Sequence, residues 1–362
     1  MSSSPPIARS RARQVGIDLG ELPTGEHNAV TDVPGVLVGH VTKWSDAQDD
    51  VARTGVTAVL PCSLAEVFAA PPAAGTAVLN GVGELTGSIS MTEMGLIDTP
   101  ILLTGTTSVG RAFDAVVDAM LDAVPRVGED DVVAPVVGEC DDSWLDNTRG
   151  RHVSVADCRA AIAAAAGGPV AEGVVGAGTG MMTMGHKAGI GTSSRVVVGL
   201  GTVGVLVLAN FGGRRQLRVG GVPVGRVLDD EARAAGARTR GEAGSCIGIV
   251  MTDVPLDARQ LSRVARRVGL GLSRVGSTAG HYSGDIFCAV STTNRQPRFG
   301  TGRHPFELLV DDEIDGVFAA TVEATEEAVL NALFVADTVV GRDGHTAAGL
   351  PVDRVLDLVS RP

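Results

Sequence analysis

The sequence is poor in aromatic residues and in lysine. Aromatic residues make up 3% of the 362 positions, and Lys43 and Lys187 are the only lysines, so arginine carries almost all of the positive charge. The core must therefore be built from aliphatic side chains, and 48 glycines allow backbones to approach closely. The net charge of -12 would repel a phosphate backbone, so we expect no nucleic-acid partner.

Cysteines are sparse and scattered, and long apolar runs are absent. The five cysteines form no C-x-x-C pair, which argues against a zinc site or a disulfide scaffold; they are Cys62, Cys140, Cys158, Cys246 and Cys288. An odd set of scattered thiols suits a reducing compartment. The N-terminus lacks the apolar segment of a signal peptide, and no apolar stretch reaches the roughly 18 residues of a membrane span. We therefore expect a cytoplasmic protein without membrane contact.

Strand-like and helix-like segments occur in groups along the chain rather than in strict alternation. Strands are expected at 35–42, 54–61, 75–81, 196–210, 246–255 and 284–292. Helices are expected at 107–123, 155–166, 256–275, 311–337 and 352–360, and the first should bury Phe113, Val116, Val117 and Met120. Residues 1–15 are interpreted as a disordered lead-in, 16–362 as a single domain, and 211–244 as an exposed, mobile loop. This grouping favours a layered α+β fold.

Two common site patterns are absent or out of context. The stretch "GLGTVG" at 199–204 matches a dinucleotide-binding motif, but a β-branched run follows it instead of a helix. The seven histidines show neither H-x-x-x-H nor H-x-H spacing, so each is better explained as a structural or surface residue than as a metal ligand. We therefore expect neither a cofactor nor a metal.

The stretch "GEAGSCIGIVMTDVP" at 241–255 leaves two interpretations open for Ser245. It can be an ordinary turn serine ahead of a buried strand. Alternatively, its hydroxyl can attack the carbonyl of Gly244, and water can then release a new N-terminus at Ser245. The freed α-amino group, with a pKa near about 7.7–8, would be a base beside the hydroxyl at neutral pH.

Nine segments between about residues 16 and 358 resemble the self-processing L-aminopeptidase/D-esterase and β-aminopeptidase family, a group of N-terminal-nucleophile-type hydrolases. The segments are "TDVPGVLVGH", "LNGVGELTG", "TPILLTGTTSVGRAFDAV", "VVGECDDSWLDN", "GPVAEGVVGAGTGM", "KAGIGTSSR", "VGVLVLANFG", "GSCIGIVMTDVPL" and "SGDIFCAVSTTN". The resemblance implies a four-layer αββα sandwich. It also implies cleavage between Gly244 and Ser245 into 1–244 and 245–362, and catalysis without a metal.

The resemblance also implies roles for single residues. Ser245 matches the nucleophile, Ser283 and Asp285 match its hydroxyl and carboxylate partners, and Asn210 matches the oxyanion donor. Glu139 matches the acid that pairs with the amine of the substrate. These roles suit the chemistry, because an amide can donate to a developing oxyanion and a buried carboxylate can select a free amine.

One position departs from the family pattern. Some members carry a tyrosine two residues after the amine-binding acid, where this chain has Asp141. A carboxylate cannot donate to an oxyanion unless it is protonated, so the oxyanion would depend on Asn210 and backbone N–H groups. We expect the charges of Asp141 and Asp142 to widen the preference for cationic amines, and Trp144 and Leu145 to line the same substrate pocket. Cys246, the neighbouring thiol, should point away from Ser245 by strand alternation.

The resemblance implies an autoprocessed serine aminopeptidase, amidase or esterase that removes a small N-terminal amino acid from peptides, amides or esters through an acyl-enzyme on Ser245. Its partners would be these small substrates and copies of itself, with a tetramer of processed pairs expected. Two alternatives stay open. One is acyl transfer to another amine, as in an acetyltransferase of related fold, although that family uses a threonine that this junction lacks. The other is an uncut scaffold or small-molecule binder.

Overall fold

The computed structural model describes residues 9–47, 50–236 and 244–360. Its strands are β1 (Leu37–Ala47), β2 (Asp50–Leu60), β3 (Pro72–Gly81), β4 (Ile101–Gly105), β5 (Val136–Cys140), β6 (Met182–Thr183), β7 (His186–Lys187), β8 (Ile190–Val197), β9 (Gly201–Asn210), β10 (Ser245–Thr252), β11 (Gly284–Arg295), β12 (Val339–Val340) and β13 (Thr346–Ala347). Its α-helices are α1 (Leu64–Ala69), α2 (Ser88–Met94), α3 (Val109–Ala123), α4 (Val155–Ala163), α5 (Val224–Ala234), α6 (Ala258–Arg274), α7 (Asp315–Val335) and α8 (Val352–Val359).

Two sheets form the centre of the molecule. One has the strand order β1-β2-β4-β5, and the other has the order β3-β11-β10-β9-β8. In the larger sheet, β10 pairs antiparallel with β9 and parallel with β11, so it is flanked on both sides. Alternation along β10 sends Ile247 and Ile249 into the core between the sheets and Cys246 and Val250 into the core under the helices.

Helices cover the outer face of each sheet. Helices α3 and α4 bury aliphatic side chains such as Val116 and Ile162 against the four-stranded sheet. Helices α6 and α7 cover the five-stranded sheet, where Val264 and Leu330 lie fully buried. The order of layers is therefore helix, sheet, sheet, helix, and the expected αββα sandwich is confirmed.

Helix α6 shows how the local sequence sets these layers. Asp257 accepts a hydrogen bond from the backbone N–H of Gln260, and the Gln260 side chain reaches back to the N–H of Asp257, which caps the helix start. Apolar residues at helical spacing then face the sheet, and Leu261, Val264 and Val268 are fully buried.

Three expectations about local structure were wrong. Phe113 is exposed, because the buried face of α3 is formed by smaller residues, among them Ala112 and Ala115, that let the helix approach the sheet. The predicted loop at 211–244 contains helix α5, while residues 237–243 lie outside the described part of the chain. The lead-in is ordered from residue 9 onward, since Ala12–Val15 form a 3-10 helix and Ala12 is buried. Residues 1–8 lie outside the described ranges.

The dinucleotide-like stretch lies in a hairpin. Gly199 and Leu200 form the turn between the antiparallel strands β8 and β9, so no helix follows to receive a pyrophosphate. Among the described residues, no helix combines the length and the apolar character that crossing a bilayer would require.

Candidate active site

Three neighbouring strand ends bring the predicted site residues together. Asn210 is the last residue of β9, Ser245 the first of β10 and Gly284 the first of β11. The register pairs Ser245 with Asn210 on one side and with Gly284 on the other. Neighbouring strands lie roughly 5 Å apart, so these paired positions share one small volume.

The peptide bond between Gly244 and Ser245 is held at this point by the backbone of β11. The Gly284 N–H donates to the Oγ of Ser245 at 3.2 Å and lies 3.3 Å from the carbonyl oxygen of Gly244. A Cβ atom at position 244 would lie only 1.9 Å from the carbonyl oxygen of Asn210. Close backbone approach therefore requires glycine immediately before Ser245.

A buried hydroxyl and a carboxylate lie beside this junction. The Ser283 Oγ donates to the Oδ1 of Asp285 at 2.8 Å, and both side chains are buried. Burial raises the pKa of Asp285 to about 6, while hydrogen bonds from Ser283 and from the Cys246 backbone N–H oppose that rise. The Oδ2 of Asp285 is also buried and has no hydrogen-bond partner among the described residues. The carboxylate therefore retains an unused acceptor atom beside the Ser283 hydroxyl.

The Asn210 side chain is fixed at both ends of its amide. Its Oδ1 accepts from the Met182 backbone N–H at 3.0 Å, and its Nδ2 donates to the Asp141 carbonyl oxygen at 2.9 Å. These partners can be satisfied by only one orientation of the amide. An amide carries two N–H protons, and the Asp141 carbonyl uses one of them.

Glu139 lies on β5, the edge strand of the other sheet, and faces the same site. Its carboxylate accepts from the Glu84 backbone N–H at 3.1 Å and from the Thr106 hydroxyl. Gly83 lies between this carboxylate and Gly284, because a Cβ at Gly83 would be 3.1 Å from both the Glu139 Oε1 and the Gly284 Cα. The carboxylate therefore lies near Gly284, which pairs with Ser245. Burial raises the pKa of Glu139, opposed by its hydrogen bonds and assisted by the nearby charge of Asp141.

The loop after β5 carries Asp141 and Trp144. The Asp141 carboxylate accepts from the Ser143 backbone N–H at 2.9 Å, and its backbone carbonyl holds Asn210. The Trp144 ring stacks on His345 with a centroid distance of 3.9 Å and an interplanar angle of 8°. The structure thus brings the Asp141 backbone to the site, whereas the Trp144 ring packs against His345, between β12 and β13.

Cys246 lies on the opposite face of β10 from Ser245. Its side chain is fully buried under the helices, and burial raises its pKa well above the usual value. A buried thiol held neutral in this way is a poor nucleophile, so Ser245 is the better candidate.

Sequence reasoning did not find several groups of this site. The Gly284 N–H is a backbone donor and has no signature in the sequence. Thr106 and the backbone of Glu84 lie in the segments "LLTGTTS" and "NGVGELTG", where small residues surround them without a chemical pattern. Thr106 is brought to Glu139 because it follows β4, which pairs with β5, and Glu84 because the segment after β3 forms a bridge to β5 between Leu85 and Gly138.

Comparisons with known proteins agree with this geometry. The model of peptidase family S58 matches residues 28–347. The chain is 41% identical over 360 residues to the β-peptidyl aminopeptidase BapA of Sphingosinicella microcystinivorans, covering 94% of this chain and 89% of that protein. A β-aminopeptidase structure from Burkholderia sp. superimposes with a TM-score of 0.89 at 40% identity, covering 98% of this chain and all of the other.

A further solved structure describes the fold. The L-aminopeptidase D-Ala-esterase/amidase of Ochrobactrum anthropi superimposes with a TM-score of 0.89 at 37% identity, covering 96% of this chain and 98% of that one. It is described as a prototype of the serine aminopeptidases and as a new variant of the Ntn hydrolase fold. The present fold is of this Ntn-hydrolase variant. The chain belongs to peptidase family S58.

Proposed function

We propose that the chain cuts itself between Gly244 and Ser245 and then acts as an aminopeptidase with Ser245 as its N-terminal nucleophile. The observation that carries the proposal is the position of the Gly284 N–H, 3.2 Å from the Oγ of Ser245 and 3.3 Å from the carbonyl oxygen of Gly244. One backbone donor thus touches both the attacking atom and the oxygen on which negative charge would develop.

The cut follows an N-to-O acyl shift. The Oγ of Ser245 adds to the carbonyl carbon of Gly244, the C–N bond breaks, and the hydroxyl proton passes to the departing nitrogen. Water then hydrolyses the ester, which leaves a carboxylate on Gly244 and a free α-amino group on Ser245. Ser283 and Asp285 support this step, because a hydroxyl hydrogen-bonded to a buried carboxylate can relay protons beside the junction.

The cut chain then supplies both nucleophile and base from one residue. The α-amino group of Ser245 takes the hydroxyl proton while the Oγ attacks the carbonyl carbon of the substrate, and the amine leaving group departs with a proton. Water hydrolyses the acyl-enzyme and regenerates the hydroxyl. The second N–H of Asn210 and the Gly284 N–H are the donors for the oxyanion of each step.

Glu139 gives this reaction its selectivity for a free amine. Glu84 and Thr106 hold its carboxylate by hydrogen bonds, and the carboxylate lies beside Gly284, the residue that pairs with Ser245 on the neighbouring strand. An ammonium group bound there would make a charge-assisted hydrogen bond, and an acylated amine could not. The relatives named as β-peptidyl aminopeptidase and as L-aminopeptidase D-Ala-esterase/amidase support small aminoacyl amides, peptides and esters as the substrate class.

Gel electrophoresis and fragment sequencing test the cut. Dividing 36.9 kDa in the ratio 244:118 gives bands near about 25 and 12 kDa, and the smaller fragment should begin Ser-Cys-Ile-Gly. Ser245→Ala should remain at full length and should release no p-nitroaniline from aminoacyl anilides, whereas Cys246→Ala should behave as the parent does. A single full-length band for the parent, without anilide hydrolysis, would favour the scaffold or binder instead.

Acyl transfer is distinguished from hydrolysis by its products. When a second amine is added, a hydrolase releases mainly the free amino acid, while a transferase releases the new amide. Ser245 in place of a threonine nucleophile supports hydrolysis.

We further propose that cut pairs assemble with copies of themselves, as a tetramer. Strand β3 is an edge of the five-stranded sheet, and Val78, Val82, Ile89 and Met94 on and after it expose apolar side chains. Exposed apolar edge strands are sites of association. Sedimentation should give a mass about four times 36.9 kDa, and Val78→Lys should lower it.

A further inference from the structure

Lys187 is a lysine buried completely in the interior, close to the loop that holds Asn210. Its Nζ donates to three backbone carbonyl oxygens, those of Gly178 at 3.0 Å, Met181 at 2.8 Å and Ala188 at 2.6 Å. Within the described ranges, no carboxylate pairs with it. The other lysine of the sequence, Lys43, is a partly exposed side chain that pairs with Asp157.

A buried ammonium group without a counter-ion is costly, so its retention calls for a physical reason. Burial lowers the pKa of Lys187 to about 7, while three carbonyl acceptors favour the charged form. Two of the three N–H bonds of the ammonium group hold the carbonyls of Gly178 and Met181, and the third holds that of Ala188, its own neighbour in the chain. The consequence is a fixed conformation for residues 178–182, where glycine and small residues would otherwise leave the chain free to move.

This stretch ends at the residue that orients the Asn210 amide. The Met182 N–H, directly after the Met181 carbonyl held by Lys187, donates to the Asn210 Oδ1 at 3.0 Å. That bond forces the Nδ2 of Asn210 to the opposite side, where it reaches the Asp141 carbonyl. A continuous series of hydrogen bonds therefore runs from Lys187 through residues 181 and 182 to the amide opposite Ser245.

We propose that Lys187 is a positioning residue for the reaction, and that it acts through the Met181–Met182 backbone to aim the Asn210 amide at the oxyanion. The inference rests on the proposed function, in which Asn210 is the side-chain donor to that oxyanion. Lys187 itself touches neither substrate nor nucleophile.

A double-mutant cycle on the cut enzyme tests the proposal. Lys187→Met should lower kcat at least about tenfold with KM changed less than about threefold, because only the transition-state donor is misplaced. Lys187→Gln, which keeps two N–H donors, should recover part of that loss. Lys43→Met is the matched control and should leave kcat unchanged.

The decisive readout is the same lysine substitution in an Asn210→Ala background. Once the amide is removed, Lys187→Met should change kcat less than about threefold, because residues that act as one unit are non-additive. An equal loss in both backgrounds would overturn the role of Lys187 while leaving that of Asn210 intact. Unchanged kcat in Asn210→Ala alone would overturn the proposed role of Asn210, and the inference with it. If Lys187→Met does not fold, Lys187→Gln carries the same cycle.

Discussion

Asn210 lies directly opposite Ser245 in the antiparallel register of β9 and β10, with its amide held between the Met182 N–H and the Asp141 carbonyl. The pairing places a rigid donor next to the hydroxyl of Ser245. Preorganised donors of this kind stabilise an oxyanion because they need not reorient during the reaction.

Asn210→Ala should therefore lower kcat of the cut enzyme by about 10²–10³ with little change in KM. Asn294 offers a matched control, because it is a buried asparagine of β11 whose amide donates to the carbonyls of Leu256 and Glu307. Steady-state kinetics with an aminoacyl p-nitroanilide measure both variants. A loss below threefold for Asn210→Ala, or an equal loss for Asn294→Ala, would contradict the assignment.

Glu139→Gln should weaken selection of free amines. Loss of one charge-assisted hydrogen bond should raise KM for an aminoacyl anilide by about 10–100-fold, while the N-acetylated anilide should change little. Glu84→Gln is the control, since the exposed neighbour contributes its backbone N–H and not its carboxylate. If the ratio of KM for the two substrates is the same in Glu139→Gln as in the parent, the amine is recognised elsewhere.

Self-cleavage should slow as the pH falls through about 6. Burial raises the pKa of Asp285 to about 6, so its carboxylate is charged above that pH and protonated below it, where it no longer favours the Ser283 hydrogen bond as strongly. Chain made by cell-free synthesis can be shifted across the pH range and the two fragments followed with time. Asp285→Asn should cleave at least about 10²-fold more slowly at neutral pH, and its rate should no longer fall as the pH drops through about 6. If the cleavage rate of Asp285→Asn still falls at acid pH, the titrating group is not Asp285.

Gly244→Ala should also impair cleavage, for a steric reason. The added methyl group would lie 1.9 Å from the Asn210 carbonyl oxygen and would push the peptide bond away from the Gly284 N–H. We expect full-length protein to accumulate for at least about ten times longer than in the parent. Gly300→Ala, at an open position, should cleave at the parental rate. Parental cleavage in Gly244→Ala would show that the junction moves freely before the reaction.

Asp142→Asn should stabilise the protein at alkaline pH. Burial raises the pKa of Asp142 to about 8, with the charge of Asp146 as a further cause. The folded state therefore holds a proton that the unfolded chain releases near pH about 4, and stability is lost as the pH rises from about 4 to about 8. Since each pH unit between the two pKa values costs the parent about 1.4 kcal/mol, the variant should raise Tm by several degrees near pH 8 and by much less near pH 4.

Asp114→Asn, at an exposed position of α3, should show no such dependence of Tm on pH. Equal gains for Asp142→Asn at both ends of the pH range would mean that relief of the buried charge is not the cause.

The sequence was sufficient to predict strands β3, β10 and β11 of the larger sheet, and the role of Ser245 stays a prediction; 196–210, expected as one strand, contains the turn between β8 and β9. β-branched runs such as residues 246–251 indicate buried strands directly, and the family pattern adds the chemistry of the junction. The mutual register of β9, β10 and β11 was not accessible, because pairing between distant segments is a tertiary property. For that reason the Gly284 N–H could not be assigned in advance.

Helix α5 was missed because its start resembles a turn. Pro223 caps it, and Gly220, Gly221 and Gly225 surround that start. Gly225 serves packing rather than flexibility, since a Cβ there would lie 2.1 Å from the Arg214 carbonyl oxygen. Local composition does not distinguish the two uses of glycine.

Strand β10 lies between β9 and β11, so a cut at its first residue would leave it paired with one strand from each product. The N-terminal Arg13 likewise pairs with Glu327 of α7 across the two products. Neither fragment could complete the central sheet alone. Refolding would then be unimolecular for the newly made chain and bimolecular for the mature enzyme, so recovery from denaturation would depend on protein concentration only after the cut.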